Sequence, residues 1–438
     1  MYCGDEVAAV VGDIGAHTCK FGFAGEDSPK HVFSSTAGYL PAQPTAGPKD
    51  GGASAAASGA SGAAGASGAA GAGGGAPGGA KGKWIVGDMA ISRPREGMEL
   101  KNPFADGVLS NWDQQVEQLW EHAFRDRLRT DPSTLPVLCA EPSWSHHRER
   151  VNVMELMFDK FRTPAMYPAR SAVLCAFAAG RSTALVCDCG HGSVAAVPVV
   201  DGLVLNKALF RGMRGGAWLT QQLFFKLGER ASKLRPRHEL RPGKPVQATA
   251  TYTYFARMEV LRDLKVGLVV RALTKSNGSD DSSSDGPGVY VLPDGTEVEL
   301  TEELVNMPEL LMDPTPRSAA PQKGGGYTPM DLALPELLHG ALESSDGDAR
   351  RDLASNVVLT GAGSLFEGMA ERLSDELTAS LPSAFKVRVL AGSKIERRFG
   401  VWIGGSILCS LGTFQQLWIS KQQYEEEGVE RCYHKITS

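Results

Sequence analysis

No stretch of this 438-residue chain approaches the ~18 consecutive apolar residues that cross a bilayer, so the sequence offers no candidate membrane-spanning helix. Basic residues are in short supply as well. Lys and Arg number 45 against 50 Asp and Glu, for a net charge of −5, and they form no cluster. Holding DNA by broad phosphate neutralisation needs clustered cations that release counterions, so direct DNA binding of that kind is not expected. The same absence leaves no visible nuclear import signal. Eight cysteines lie in and around apolar runs without an even spacing scheme, and no charged segment leading into an apolar core opens the chain. Buried free thiols in a reducing compartment are expected. What the chain does have, 42% apolar and 22% charged residues, is ordinary for a globular protein able to bury its own core in two to four domains.

Three tracts interrupt that composition. Residues 51–80 are Gly, Ala or Ser everywhere except Pro77 and cannot bury enough apolar surface to offset the entropy of ordering, so a flexible excursion is expected. The polar, acidic run Ser276 to Asp285 and the Pro/Gly-rich run Pro314 to Gly326 read as solvated loops. Elsewhere short β-branched runs alternate with longer amphipathic stretches, which argues for an α/β architecture.

Strands are expected over Val7–Val11 and Leu185–Cys187, each delivering an Asp-x-Gly at its end. Trp112, Val116, Leu119, Trp120, Phe124 and Leu128 follow one helical face, with Ser110 and Asn111 as candidate caps. Val151, Met154, Met157, Phe158 and Phe161 make a second apolar stripe. A further helix is expected after Gly361-Ala362-Gly363, with Leu365, Met369, Leu373 and Leu377 inward. The repeated strand-Asp-x-Gly unit suggests an internal duplication, two similar halves facing one another.

Glycine after a strand lets backbone N–H groups approach an anion with no Cβ in the way, and two such turns can clasp a phosphate tail from opposite sides. Taken singly, an Asp-x-Gly is as readily mere turn chemistry. Cys187, Cys189 and His191 lack a second Cys/His pair at zinc spacing, and a strand does not converge alternate residues on a tetrahedral centre, so buried packing is the expected reading. His146-His147 with Arg148, Glu149 and Arg150 reads as a solvated helix start, and Trp144 as a packing residue or a partner contact.

The carboxyl end carries Trp402-Ile403-Gly404-Gly405-Ser406-Ile407-Leu408, Ser410-Leu411-Gly412-Thr413-Phe414-Gln415-Gln416 and Trp418-Ile419-Ser420-Lys421-Gln422, a block that resembles the carboxyl end of actin. Gly12-Asp13-Ile14-Gly15 through Lys20-Phe21-Gly22-Phe23-Ala24-Gly25-Glu26-Asp27 is similar to actin's first phosphate-binding hairpin, and Cys187-Asp188-Cys189-Gly190-His191-Gly192 to its second. The likeness covers most of the chain outside the three tracts. Gly4-Asp5-Glu6-Val7, Arg181-Ser182-Thr183, Pro198-Val199 with Asp201-Gly202, and Val389-Leu390-Ala391-Gly392 leading to Glu396-Arg397-Arg398-Phe399 resemble the nuclear subfamily called actin-related protein 4 or actin-like protein 6.

That resemblance implies an actin-like α/β fold of two similar lobes around a nucleotide cleft. The first lobe would span 1–175 with an insert at about 42–82, the second 176–395 with loops at about 274–288 and 314–326, and the segment 396–438 would return to the first lobe. It further implies ATP and Mg²⁺ as cofactors. Asp13 and Asp188 would flank a hydrated Mg²⁺ through water, Lys20 would reach the β-phosphate, and Gly15, Ala16, His17, Thr18, Gly190, Gly192 and Ser193 would form the two hairpin tips. Arg262, Lys265, Gly361, Ala362, Phe366 and Arg398 would surround the nucleoside.

Departures from the family pattern bear on activity. Ser171 stands where actin has a Gln that orients the attacking water, Ala195 where it has a His, His191 where it has an acidic residue, and Ala16 where a Ser touches the γ-phosphate. Val266 replaces a Glu that would hold the ribose, and the arginine-bearing segment after Gly215 is not recognisable. Positioning water in line with the γ-phosphate is the protein's main task in this chemistry, so weak or no hydrolysis and no catalytic residue are expected. The resemblance thus implies a nuclear, non-hydrolysing ATP-binding architectural subunit of chromatin-remodelling and histone-acetyltransferase complexes. Its partners would be nuclear actin and the helical scaffold region of a remodeller ATPase or acetyltransferase subunit, with chromatin reached indirectly and no membrane involved. A polymerising cytoskeletal ATPase and a small-molecule kinase of the same superfold are the alternatives. The first is opposed by the tract at 51–80, in the region where actin inserts a short loop into its neighbour, and the second by the lack of a recognisable substrate domain.

Overall fold

The computed structural model describes residues 8–42, 82–105, 107–110, 112–240, 246–268, 289–313 and 332–437. The expected flexible tract and both expected solvated loops fall outside these residues. Two mixed six-stranded sheets organise the rest. In the first, β1 (Val10–Ile14) pairs antiparallel with β2 (Thr18–Phe23), which pairs with β3 (His31–Ser34). On its other side β1 runs parallel to the strand Val137–Glu141, which runs parallel to Ala165–Arg170. The short strand Ile419–Ser420 closes that edge and returns the end of the chain to this sheet.

The second sheet repeats the scheme. Ala184–Cys189 pairs antiparallel with Val194–Val200 and parallel with Val357–Thr360, itself parallel to Val389–Ala391. A hairpin followed by two parallel neighbours therefore occurs twice, the duplication that the two Asp-x-Gly units suggested. Hydrophobic clusters fill each half, and the helices Ser171–Ala178 and Lys394–Ser410 lie between them. Helix 171–178 places Leu174 with the first half's core and Ala172, Cys175 and Ala176 against the second sheet. Trp402, wholly buried, donates its indole N–H to the Val11 carbonyl at 3.0 Å and so fastens helix 394–410 to β1.

Several local expectations shift. Both Asp residues sit inside their strands, not after them: Asp13 is in register with Lys20, and Asp188 with Ala195 and Thr360, because ladder pairing continues up to the turn glycines. The strand begins at Val10, and Val7 lies outside the described residues. From Trp112 to Leu128 the chain is helical as expected, but Ser110 donates its hydroxyl to the Pro103 carbonyl and does not cap. In the next helix Val153 is buried and Val151 half-buried. Arg150 is not part of a solvated start, since it is 3% exposed and ion-paired with buried Glu141. The helix after the Gly361 turn is Met369–Ser380, so Leu365 stays in the loop while Met369, Leu373 and Leu377 face inward.

A small three-stranded sheet is appended to the first half: β4 (Ala37–Leu40) between β5 (Lys83–Ile85) and β6 (Glu99–Lys101). Leu40 stands opposite Lys83 across the ladder, so the two ends that flank the tract are already hairpin neighbours. A short turn could join them. Closure entropy varies only logarithmically with loop length, so removing residues 51–80 should shift stability by about 1 kcal/mol or less. Thermal melting checks this, and loss of soluble protein would show that the tract supports the fold.

Candidate functional site

Between the halves lies a cleft of about 430 Å³, and all sixteen residues named above as nucleotide contacts line it. Its phosphate-sized end is built by the two hairpins. Gly15 N–H donates to the Thr18 carbonyl at 3.1 Å and Gly190 N–H to Ser193 at 3.0 Å, so both turns close by the same bond. Those two glycine amides are therefore spent on the turns, and the tips between them, Ala16-His17 and His191-Gly192, are the parts left to face a ligand. The tips meet: a Cβ on Gly192 would stand 3.0 Å from that of Ala16.

Lys20 bonds Asp13 at 2.7 Å from the neighbouring strand. Burial, then the charge of Asp13, pushes the Asp188 carboxyl up to about 6, while Lys20 acts in the opposite sense. A divalent cation beside Asp188 would offset the charge of Asp13 that opposes its ionisation. Lys265 donates to the Gly216 carbonyl at 2.6 Å and to Thr220 Oγ1 at 3.0 Å, and burial beside Arg262 brings its ammonium down to about 8. Arg262 itself bonds Glu259 at 2.7 Å.

The imidazoles of His17 and His191 face each other from opposite hairpins with centroids 4.6 Å apart. Burial, then His191 and the cations Arg262, Lys265 and Lys20, drives His17 down to about 2, and burial with Lys265 and Arg262 takes His191 to about 4. The cleft thus sets cations and neutral imidazoles beside the carboxylates of Asp13 and Asp188. Two guanidinium Nε–H groups in its wall, of Arg262 and Arg397, are buried without a partner among the described residues. An acceptor-rich polyanion such as a nucleoside triphosphate fits that donor set.

Gly361 is required where it stands. Its φ is +87°, and a Cβ there would lie 2.3 Å from the Cys189 carbonyl oxygen and 2.8 Å from Asp188 Oδ1. Its N–H donates to the Arg397 carbonyl, and Arg397 donates to Ser364, so the loop that carries Ala362 and Phe366 is tied to the helix that carries Arg398.

The departures find physical places. Ser171 lines the cleft, but its hydroxyl lies 3.1 Å from that of Ser143, which also accepts the Ala172 N–H and caps the helix. Ala195 is 2% exposed and packs in the core beneath the sheet. Val266 lines the rim and is 56% exposed. Arg214, on the segment leading to Gly215, is buried and donates to the Leu310 and Asp313 carbonyls. Cys187 and Cys189 lie in the hydrophobic core, and no group of three potential metal ligands occurs among the described residues. Trp144 is half-buried against the core of the second sheet, donates to the Gly107 carbonyl at 2.9 Å, carries the Arg211 guanidinium over its ring and lines the cleft beside Gly107. Sequence reasoning did not bring together the histidine pair, the Ser143–Ser171 contact or Arg397, because each partner arrives from a distant segment.

Among the described residues no helix is long and apolar enough to cross a membrane. A family profile described as "Actin" matches residues 4–437. Actin-related protein 4 of Arabidopsis thaliana is 41% identical over 451 aligned positions, covering 99% of this chain and all of that protein. Actin-related protein 4 of Oryza sativa subsp. indica is 36% identical with the same coverage. The protein of that name from Yarrowia lipolytica is 33% identical, covering 99% of this chain and 97% of its own length.

Proposed function

The chain belongs to the actin family, and from that premise we propose that it is a nuclear architectural subunit that binds Mg²⁺-ATP without turning it over, within chromatin-remodelling and histone-acetyltransferase assemblies. Asp13 and Asp188 would hold the hydrated cation, Lys20 and the hairpin tips the phosphates, and Arg262, Lys265, Gly361, Ala362, Phe366 and Arg398 the nucleoside end. Bound Mg²⁺-ATP supplies a polyanion and a counter-cation that both halves can share.

The observation that carries the non-hydrolysing reading is Ser171. Its side chain is shorter than the Gln that actin carries at this place, and its hydroxyl is engaged with Ser143 at 3.1 Å. Without a positioned water, the largest protein contribution to phosphoryl transfer is missing. The relatives share the name Actin-related protein 4, which supports the nuclear assignment. The net charge of −5 favours protein contacts over direct DNA contacts in such an assembly.

The partners that this reading requires are actin and an amphipathic scaffold helix, which can bury one face in a groove. Affinity purification of the full chain should recover actin together with a remodeller ATPase or acetyltransferase scaffold subunit. Recovery of neither, with folded protein on the column, would remove the architectural reading. Concentration-dependent self-assembly would replace it with the polymer reading.

A further inference from the structure

Two imidazoles meet at the phosphate-sized end of the cleft, one from each hairpin tip. His17 and His191 have ring centroids 4.6 Å apart and planes inclined by 34°. Both line the cleft, and the glycine amides beside them are bonded within the turns, so the rings are donors that the tips can turn toward a ligand. The second tip is also set against the start of the helix Gly216–Leu227. The His191 carbonyl accepts the Ala217 N–H at 2.8 Å, and His191 Nδ1 and Lys265 Nζ each lie 3.4 Å from where a Cβ on Gly216 would stand.

Cations surround the pair. Lys20 acts on it from β2 and Arg262 and Lys265 from the helix Ala250–Leu268, while Arg397 and Arg398 line the same cleft from helix 394–410. The carboxylates there have other partners: Asp13 bonds Lys20, Glu259 bonds Arg262, Asp263 pairs with Arg237, and Asp188 lies buried beside Asp13. In the free protein both rings are therefore neutral at pH 7. A phosphate tail between the tips reverses that balance, because it offsets the cations that oppose protonation and accepts a stronger bond from an imidazolium than from a neutral ring.

We propose that His17 and His191 are phosphate-contacting residues that load a proton when nucleotide binds: an imidazolium at the hairpin tips donates to the phosphate tail, and its proton is taken from solvent. The inference rests on the nucleotide-binding reading above and adds to it that binding is proton-linked. Proton and phosphate then each raise the affinity for the other. An imidazole whose proton affinity is raised by nucleotide strengthens binding below its bound-state pKa, and that contribution fades as pH rises through it. Two other groups that titrate nearby do not supply the uptake. Lys265, at about 8, is already largely protonated at pH 7, and Asp188, at about 6, is largely ionised and would release a proton beside a bound cation.

Isothermal titration of the full chain with Mg²⁺-ATP at pH 7, repeated in buffers of different protonation heat, counts the protons exchanged per nucleotide. The parent should take up roughly half to one proton, and its Kd should rise about two- to fivefold from pH 7 to pH 8. His17→Asn with His191→Asn keeps polar side chains that cannot be protonated. This double variant should lose the uptake and most of the pH dependence, and bind about three- to tenfold more weakly at pH 7. The parent's proton count needs no variant, and either single substitution serves if the double variant does not fold. A merely structural pair would lower the melting temperature on substitution and leave the proton count unchanged. Binding by the parent without proton uptake, or equal uptake by the folded variant, overturns the proton-loaded pair and leaves the nucleotide reading standing. A parent that binds no nucleotide at all overturns both.

Discussion

Asp13→Ala should weaken Mg²⁺-ATP binding about ten- to a hundredfold, the cost of losing a group that orients a metal's bound ligands. Asp13 lies within β1, is 8% exposed and accepts Lys20 at 2.7 Å. Its removal leaves Asp188 as the only carboxylate of the pair and frees the Lys20 ammonium. The two consequences have opposite signs for different ligands. Metal-free ATP should bind the variant at least as well as the parent, because one negative charge has left the phosphate end, whereas Mg²⁺-ATP should bind worse. Isothermal titration with and without Mg²⁺ separates them. Equal loss in both titrations would mean that Asp13 acts through folding, and no loss in either would remove it from the site.

Gly404→Ala should destabilise the protein by about 3 kcal/mol or more, or prevent soluble expression. A Cβ there would stand 1.9 Å from the Leu174 carbonyl oxygen and 2.5 Å from its carbon. Both are backbone atoms, so no side-chain rotation relieves the overlap. The two helices between the halves would have to separate, dragging on Trp402 and its bond to Val11. Gly412→Ala is the control: a Cβ at Gly412 meets nothing within 4 Å and should change stability by about 0.5 kcal/mol or less. Thermal melting of the pair checks the contrast, and a Gly404→Ala protein that melts with the parent would contradict the close helix contact.

Features with a local signature were legible before the structure. The α/β alternation, the helical face from Trp112 to Leu128 and the repeated Asp-x-Gly unit depend on neighbours in sequence, and they reappear as expected. The site residues came from short motifs shared with actin, and the fold brings all of them to one cleft. Contacts between distant segments were not legible. Ser143 meets Ser171 across 28 positions, His17 meets His191 from the other hairpin, and Tyr252 shares a buried cluster with Met98 of the appended sheet region. Arg150 was misplaced for the same reason, because its buried partner Glu141 belongs to a separate strand. Boundaries moved where pairing won over local pattern, as when the ladders drew both aspartates into their strands.

The central claim is that the cleft binds ATP and leaves it intact. The most direct measurement loads the full chain with Mg²⁺-ATP, removes free nucleotide, denatures samples at intervals and separates ATP from ADP. Ser171, held by Ser143, and Ala195, turned into the core, lead to the expected result that stoichiometric ATP is recovered unchanged at every protein concentration. Steady conversion of bound ATP to ADP, quickening as the protein is concentrated, would contradict it.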